Sequence, residues 1–122
     1  MSFKSFTQMH VYQLAIDLLV KIYKATKSFP VEEKYGLISD MRRAANSITH
    51  NIAEGFGRFE ARDKTRYYKI SRGSNFELMS QNYVSLQLGY QSKEVVEELN
   101  LTCGLIIEEL DSLIKSIENP LP

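Results

Sequence analysis

Apolar and small residues recur at Ile38, Met41, Ala45, Ile48 and Ile52 in alternating steps of three and four, the spacing that lines one side of an α-helix. The opposite side of the same stretch carries Arg42, Arg43, Asn46, Ser47, His50, Glu54 and Arg58, a surface that mixes charge signs with hydrogen-bonding groups. Helical stretches of this kind follow one another along the whole chain. The first is expected from Thr7, a candidate N-cap, to Ser28, because the residue before Pro30 is pushed out of the α region. The second is expected from Val31 to about Arg58, with Glu32 and Glu33 complementing the positive end of its dipole and Gly55 and Gly57 at its end. A third should run from Glu60 to Leu88 and stop at Gly89; a fourth should start after the N-cap Ser92 and end at Glu118, ahead of Asn119-Pro120. The pattern predicts an all-α fold, an antiparallel up-down-up-down four-helix bundle, formed as a single domain over residues 1–122.

The seams differ from helix to helix. In the fourth, Val96, Leu99, Cys103, Ile106, Leu110, Leu113 and Ile117 form one clean core stripe. The first has a core stripe of Val11, Leu14, Leu18, Ile22 and Ala25 and a second stripe of Met9, Tyr12, Ile16, Val20 and Tyr23. Only a strip with His10, Gln13, Asp17, Lys21 and Lys24 is left for water. The third repeats this, with a seam of Tyr67, Ile70, Ser71, Ser74, Leu78 and Ser85 beside a second stripe of Tyr68, Met79, Tyr83 and Leu86. Each helix of a bundle touches two neighbours, so a wide stripe can simply complete the core. Tyr and Met are also favoured at interfaces between proteins, and a helix apolar on two sides calls for partners on two sides. Met9, Tyr12, Ile16, Val20, Tyr23, Tyr68, Met79 and Tyr83 are therefore the candidate surface for a homo-oligomer.

The 15 Lys and Arg balance the 15 Asp and Glu, so the chain as a whole has no field that would draw it to nucleic acid or an anionic membrane. The distribution is uneven. Lys4, Lys21, Lys24 and Lys27 stand against Asp17 near the start, and Arg58, Arg62, Lys64, Arg66, Lys69 and Arg72 against Glu60 and Asp63 in the middle. Glu94, Glu97, Glu98, Glu108, Glu109, Asp111 and Glu118 outweigh Lys93 and Lys115 in the last quarter. A single cysteine, Cys103, excludes an internal disulfide, and no charged start, apolar middle and small-residue cleavage site opens the chain, so a cytoplasmic location is expected. No apolar run reaches the roughly 20 residues that span a bilayer, and membrane insertion is not expected.

Gly55-Phe56-Gly57 is read as a helix stop, since a phosphate-binding loop follows a strand. His10 and His50 lack partners at metal-ligand spacing, although Glu54 lies one turn beyond His50, and no Ser-His-Asp or paired-carboxylate constellation occurs. No enzyme, metal or cofactor is expected. Arg42 and Arg43 are open to two readings, pairing with Asp40, Glu54 or the acidic fourth helix, or meeting phosphates, which suit the guanidinium fork. Arg58, Arg62, Arg66 and Lys69 share one side of a helix start and form the better basic patch.

Phe29-Pro30, Tyr35-Gly36-Leu37, Met41-Arg42-Arg43-Ala44-Ala45, Ser47-Ile48, Asn51-Ile52-Ala53-Glu54-Gly55, Gly57-Arg58, Gly73-Ser74 and Glu77 together resemble the four-helix bundle proteins encoded in intervening sequences of bacterial 23S rRNA genes. The accessory variability proteins of diversity-generating retroelements are similar. The resemblance implies a pentameric barrel of helices and, by the retroelement members, contact with nucleic acid and a reverse transcriptase. This chain departs from the pattern at Tyr12, where many members carry Trp, at Asp40, where Gln is common, and at Arg72, where a small residue is usual. Two functions are thus expected: a non-catalytic ring that binds RNA or DNA through Arg42, Arg43, Arg58, Arg62, Arg66 and Lys69, or a scaffold that recruits a protein partner through the acidic fourth helix with Leu101 and Leu105.

Overall fold

The computed structural model describes residues 5–120, so the ends of the expected 1–122 domain, Lys4 among them, lie outside the described residues. Within them the chain forms helices α1 (His10–Thr26), α2 (Leu37–Gly57), α3 (Ala61–Gln87) and α4 (Lys93–Glu118), with short 3-10 turns at Phe6–Gln8 and Val31–Glu33. Packing runs around the bundle, α1 on α2, α2 on α3, α3 on α4 and α4 back on α1. Polar contacts record the antiparallel register: His10 hydrogen-bonds Glu109 and Lys21 pairs with Glu98 between α1 and α4, while Lys69 pairs with Glu118 and Arg72 with Asp111 between α3 and α4. The four-helix bundle read from the pattern is the fold observed.

Two helix starts are later than the spacing suggests, for reasons of capping. Ser5, not Thr7, opens the first turn of the described residues, its Oγ accepting from the Thr7 amide at 3.2 Å, and α1 begins only at His10. Residues 31–36 do not join α2. Glu33 instead folds back, and its Oε1 accepts from the amide of Leu37 at 3.1 Å while Oε2 accepts from the Tyr90 hydroxyl at 2.9 Å. A carboxylate held there satisfies an orphan amide and complements the helix dipole. At the far end of α3, Gly89 takes the left-handed conformation (φ +79°) that lets the Tyr90 amide return to the Ser85 carbonyl at 2.8 Å, as a helix stop requires.

Leu18, Ile22, Met41, Ile48, Ile52, Leu78, Ile106 and Leu110 fill the centre and are fully buried. Each such side chain contributes about 1.5–3 kcal/mol relative to exposure. The seam of α3 needs correction: the residues facing the core are Thr65, Tyr68, Ser71, Asn75, Leu78, Asn82 and Ser85. Tyr67 and Ser74 are only half-buried, and Ile70 is exposed. Tyr68 is 2% exposed and lies against Gly55, where an added Cβ would come within 2.5 Å of its ring.

That burial removes Tyr68 from the candidate interface, because the missing side chain at Gly55 admits the ring into the bundle itself. Met9 and Met79 are half-buried against the core, and Tyr12 meets the Phe6 ring edge-on at 4.9 Å. Tyr23 lies beneath Arg42. Of the eight residues expected at an interface, only Ile16, Val20 and Tyr83 stand exposed, at 38%, 42% and 56%.

Candidate nucleic-acid interface

The basic cluster is built by the turn between α2 and α3. Helix α2 closes at Gly57, Arg58 is extended (φ −85°, ψ 148°), and α3 starts at Ala61 with Glu60 at its N-cap. Lys64 leaves the cluster to finish α2, donating to the Gly55 and Phe56 carbonyls at 3.2 and 2.9 Å, where a cation meets the negative end of the helix. Arg58 donates to Glu54 Oε2 at 3.0 Å and to the Tyr67 hydroxyl at 2.9 Å. The Glu54 bond, with Tyr67 beside it, raises the Arg58 pKa further above its ordinary value. The guanidinium groups of Arg58 and Arg66 both lie over the Tyr67 ring, 4.7 and 4.5 Å from its centre, a cation–π arrangement that orders both side chains.

Farther along α3, Lys69 pairs with Glu118 at 2.5 Å, and Arg66 reaches Asp63 only at 4.0 Å. Arg62 makes no ion pair among the described residues. Arg62, Thr65, Arg66, Lys69, Ile70 and Glu118 line an open groove of about 600 Å³ on the α4 side of α3. A second groove of about 630 Å³ lies on the α2 side, lined by His50, Ala53, Glu54, Gly57, Arg58, Phe59, Glu60 and Asp63. One groove is rich in cations, the other in carboxylates. Phe59 stands at the second with 97% of its surface exposed. It belongs to no apolar stripe; its one signal in the sequence is an aromatic residue placed directly after Gly57-Arg58, between two helices.

Arg42 and Arg43 are not part of this assembly. They lie about 24 Å along α2 from Arg58, at 1.5 Å per residue. Arg42 is half-buried, donates from Nε to Thr26 Oγ1 at 2.9 Å and from a terminal nitrogen to the Tyr23 carbonyl at 3.4 Å, and stacks on the Tyr23 ring. It fastens the C-terminal turn of α1 to α2. Asn46 completes the fastening, its Nδ2 donating to the Tyr23 hydroxyl at 2.9 Å. Arg43 is exposed and pairs with Asp40 at 2.5 Å, beside Glu77.

No group of three or more His, Cys, Asp or Glu side chains gathers at metal-binding closeness among the described residues. Burial pushes the Cys103 thiol up to about 12, which keeps it protonated and unreactive at neutral pH. No helix among the described residues is long and apolar enough to cross a membrane.

The model of the 23S rRNA-intervening sequence protein family matches residues 7–112. No curated protein matches the sequence. Among solved structures, a protein of unknown function from the S23 ribosomal protein family of Bacteroides thetaiotaomicron superposes with a TM-score of 0.80 at 23% identity. The alignment covers 86% of this chain and 95% of that one. Identity at this level carries the fold and leaves the role of the surface to its own chemistry.

Proposed function

Because the chain belongs to the 23S rRNA-intervening sequence protein family, we propose that it is a non-catalytic, cytoplasmic RNA-binding bundle that self-associates into a ring, the pentamer its family likeness implies. The observation that carries this function is the placement of Arg62, Arg66 and Lys69 on successive turns of α3, with Arg58 just ahead of its start, at one end of the molecule. Three of the four already face a carboxylate, Glu54, Asp63 or Glu118. Exposed pairs of this kind are worth about 0–1 kcal/mol, so exchanging a carboxylate for an RNA phosphate costs little. Phosphate contact also releases counterions from the RNA. A ring repeats the patch, and several weak contacts to one RNA then add.

Ile16 and Val20 on α1 and Tyr83 on α3 are the residues that support self-association. Filter retention of a structured RNA should fall steeply between about 50 and 200 mM salt. Arg62→Glu with Arg66→Glu should remove most of it while light scattering still gives the wild-type mass, and Ile16→Glu with Val20→Glu should give a folded but smaller species. Retention that survives the Arg reversal unchanged would overturn the RNA-binding function. A wild type that is monomeric at tens of micromolar would overturn the ring.

One observation favours a second function. Leu101 is 67% exposed, with Leu105 one turn on, among the carboxylates of α4. A surface of that kind suits a basic, amphipathic segment of a partner protein, and the scaffold function takes precedence if no RNA is retained at low salt.

A further inference from the structure

We propose that the turn between α2 and α3 is a stacking site for an unpaired RNA base, with Phe59 as the platform and guanine as the base that fits best, an inference resting on the RNA-binding function proposed above. The other aromatic rings near this end of the bundle are used internally: Phe6 packs on Tyr12 and Phe56, and Tyr67 carries two guanidinium groups. Phe59 is 97% exposed at a groove large enough to take a base. A lone exposed apolar residue is ordinary. This one is flanked by two surfaces whose charges sort the parts of a nucleotide.

On the α4 side, Arg62, Arg66 and Lys69 attract phosphate. On the α2 side, where Arg58 is the one arginine and is held by Glu54 and the Tyr67 hydroxyl, Glu60 and Asp63 accept hydrogen bonds from base N–H groups. Glu54 is engaged by Arg58, whereas Glu60 makes no ion pair among the described residues and Asp63 has Arg66 no closer than 4.0 Å. A carboxylate offers two acceptors side by side. Guanine offers two donors side by side on its Watson–Crick edge; adenine and cytosine offer an amino group next to an acceptor, and uracil offers a single N–H between two carbonyls. Base pairing hides all of these edges, so the site selects loops and bulges over continuous duplex.

Fluorescence anisotropy at low salt would compare three RNAs: a hairpin with a guanine-containing loop, the same hairpin with an all-uracil loop, and a blunt duplex of equal length. The guanine loop should bind tightest and the duplex weakest. Phe59→Ala should weaken loop binding about tenfold and leave duplex binding unchanged. Glu60→Gln with Asp63→Asn should erase the preference for guanine over uracil without weakening the duplex. The chain has no tryptophan, so Phe59→Trp would keep binding and report stacking directly, as quenching by the guanine loop. Equal binding of all three RNAs by Phe59→Ala and wild type, or no quenching in Phe59→Trp, overturns the stacking site alone if the Arg62 and Arg66 reversal still abolishes binding. Absence of all RNA binding by the wild type overturns the stacking site and the RNA-binding function together. A change of mass in light scattering on Phe59→Ala would place the ring between copies of the chain and also overturn the site.

Discussion

Along α4 the side chains turned to the core are Val96, Leu99, Cys103, Ile106, Ile107, Leu110 and Ile114, whereas along its neighbour α3 they are Thr65, Tyr68, Ser71, Asn75, Leu78, Asn82 and Ser85. Helix α4 holds the bundle by apolar burial. Helix α3 holds it by small size and hydrogen bonds: Ser71 Oγ donates to the Ile48 carbonyl of α2 at 2.9 Å, and Asn82 Nδ2 donates to Asn100 Oδ1 of α4 at 2.9 Å. Ser47 and Ser74 share a hydrogen bond at 2.7 Å between α2 and α3. Tyr68, Asn75 and Asn82 lie seven residues apart, as do Ser71, Leu78 and Ser85, the repeat of a coiled-coil seam. Polar side chains in such a seam cost stability and admit one alignment of partners. The outer surfaces are as different, with carboxylates on α4 and the cations of the proposed RNA-binding face on α3.

The largest effect expected from this contrast is the loss of an α4 core residue. Leu110→Ala removes a fully buried side chain and should cost about 2–5 kcal/mol in denaturant unfolding. Asn75 is equally buried, yet its Nδ2 bonds only the Ser71 carbonyl of its own helix, at 3.0 Å. Asn75→Leu, which keeps the branching of the amide but is bulkier, should cost less than Leu110→Ala, about 1–3 kcal/mol through overpacking. Equal losses at the two sites would show that the α3 seam carries stability as α4 does.

The same contrast decides what could be read from the sequence. The α4 stripe is legible because Leu, Ile and Val identify themselves as core, and Val96, Leu99, Cys103, Ile106 and Leu110 are all buried as their spacing implies. Leu113 and Ile117 slip to half-buried, with Ile107 and Ile114 taking up the seam, since 3.6 residues per turn drift against a fixed stripe. On α3 the criterion fails. Thr65, Asn75 and Asn82 do not look like core, and of two adjacent tyrosines only the position of Gly55 on another helix selects Tyr68. The role of Arg42 was illegible for a similar reason, because Thr26 and Tyr23 come near it only once α1 and α2 pack. Arg62, Arg66 and Lys69 line one groove as their spacing suggests, whereas Arg58 lines the groove on the α2 side and meets Arg66 only across the Tyr67 ring; the exposure of Phe59, outside every stripe, is set by the fold.

Next in size is the contact that lets α3 approach α2. Gly55→Ala places a Cβ 2.5 Å from the Tyr68 ring and should destabilise by about 1–3 kcal/mol through overpacking. Tyr68→Phe keeps the ring and should give no relief, whereas Tyr68→Leu in the Gly55→Ala background should recover part of the loss. Thermal melts of the two double variants measure the difference. Equal melting temperatures would mean that the helices separate instead of the ring yielding, and that the tight α2–α3 seam is not what fixes Tyr68.

The smallest effect lies where the outer surfaces of α3 and α4 meet. Lys69 pairs with Glu118 at 2.5 Å, both side chains about half exposed. Such a pair gains little because water already solvates both charges and two long side chains lose freedom in holding one geometry. A double-mutant cycle of Lys69→Ala and Glu118→Ala should give a coupling of about 0.2–1 kcal/mol, weaker in high salt because exposed charges are screened. The size of that coupling bears on function as well as on the comparison of the two helices. A weak pair leaves Lys69 free to exchange its carboxylate for a phosphate, so Glu118→Gln should strengthen RNA retention while barely moving the melting temperature. A coupling above about 2 kcal/mol, larger than exposed pairs reach, would make Lys69 a strut between α3 and α4 and take it out of the proposed RNA-binding face, leaving Arg58, Arg62 and Arg66 as the candidates for phosphate contact.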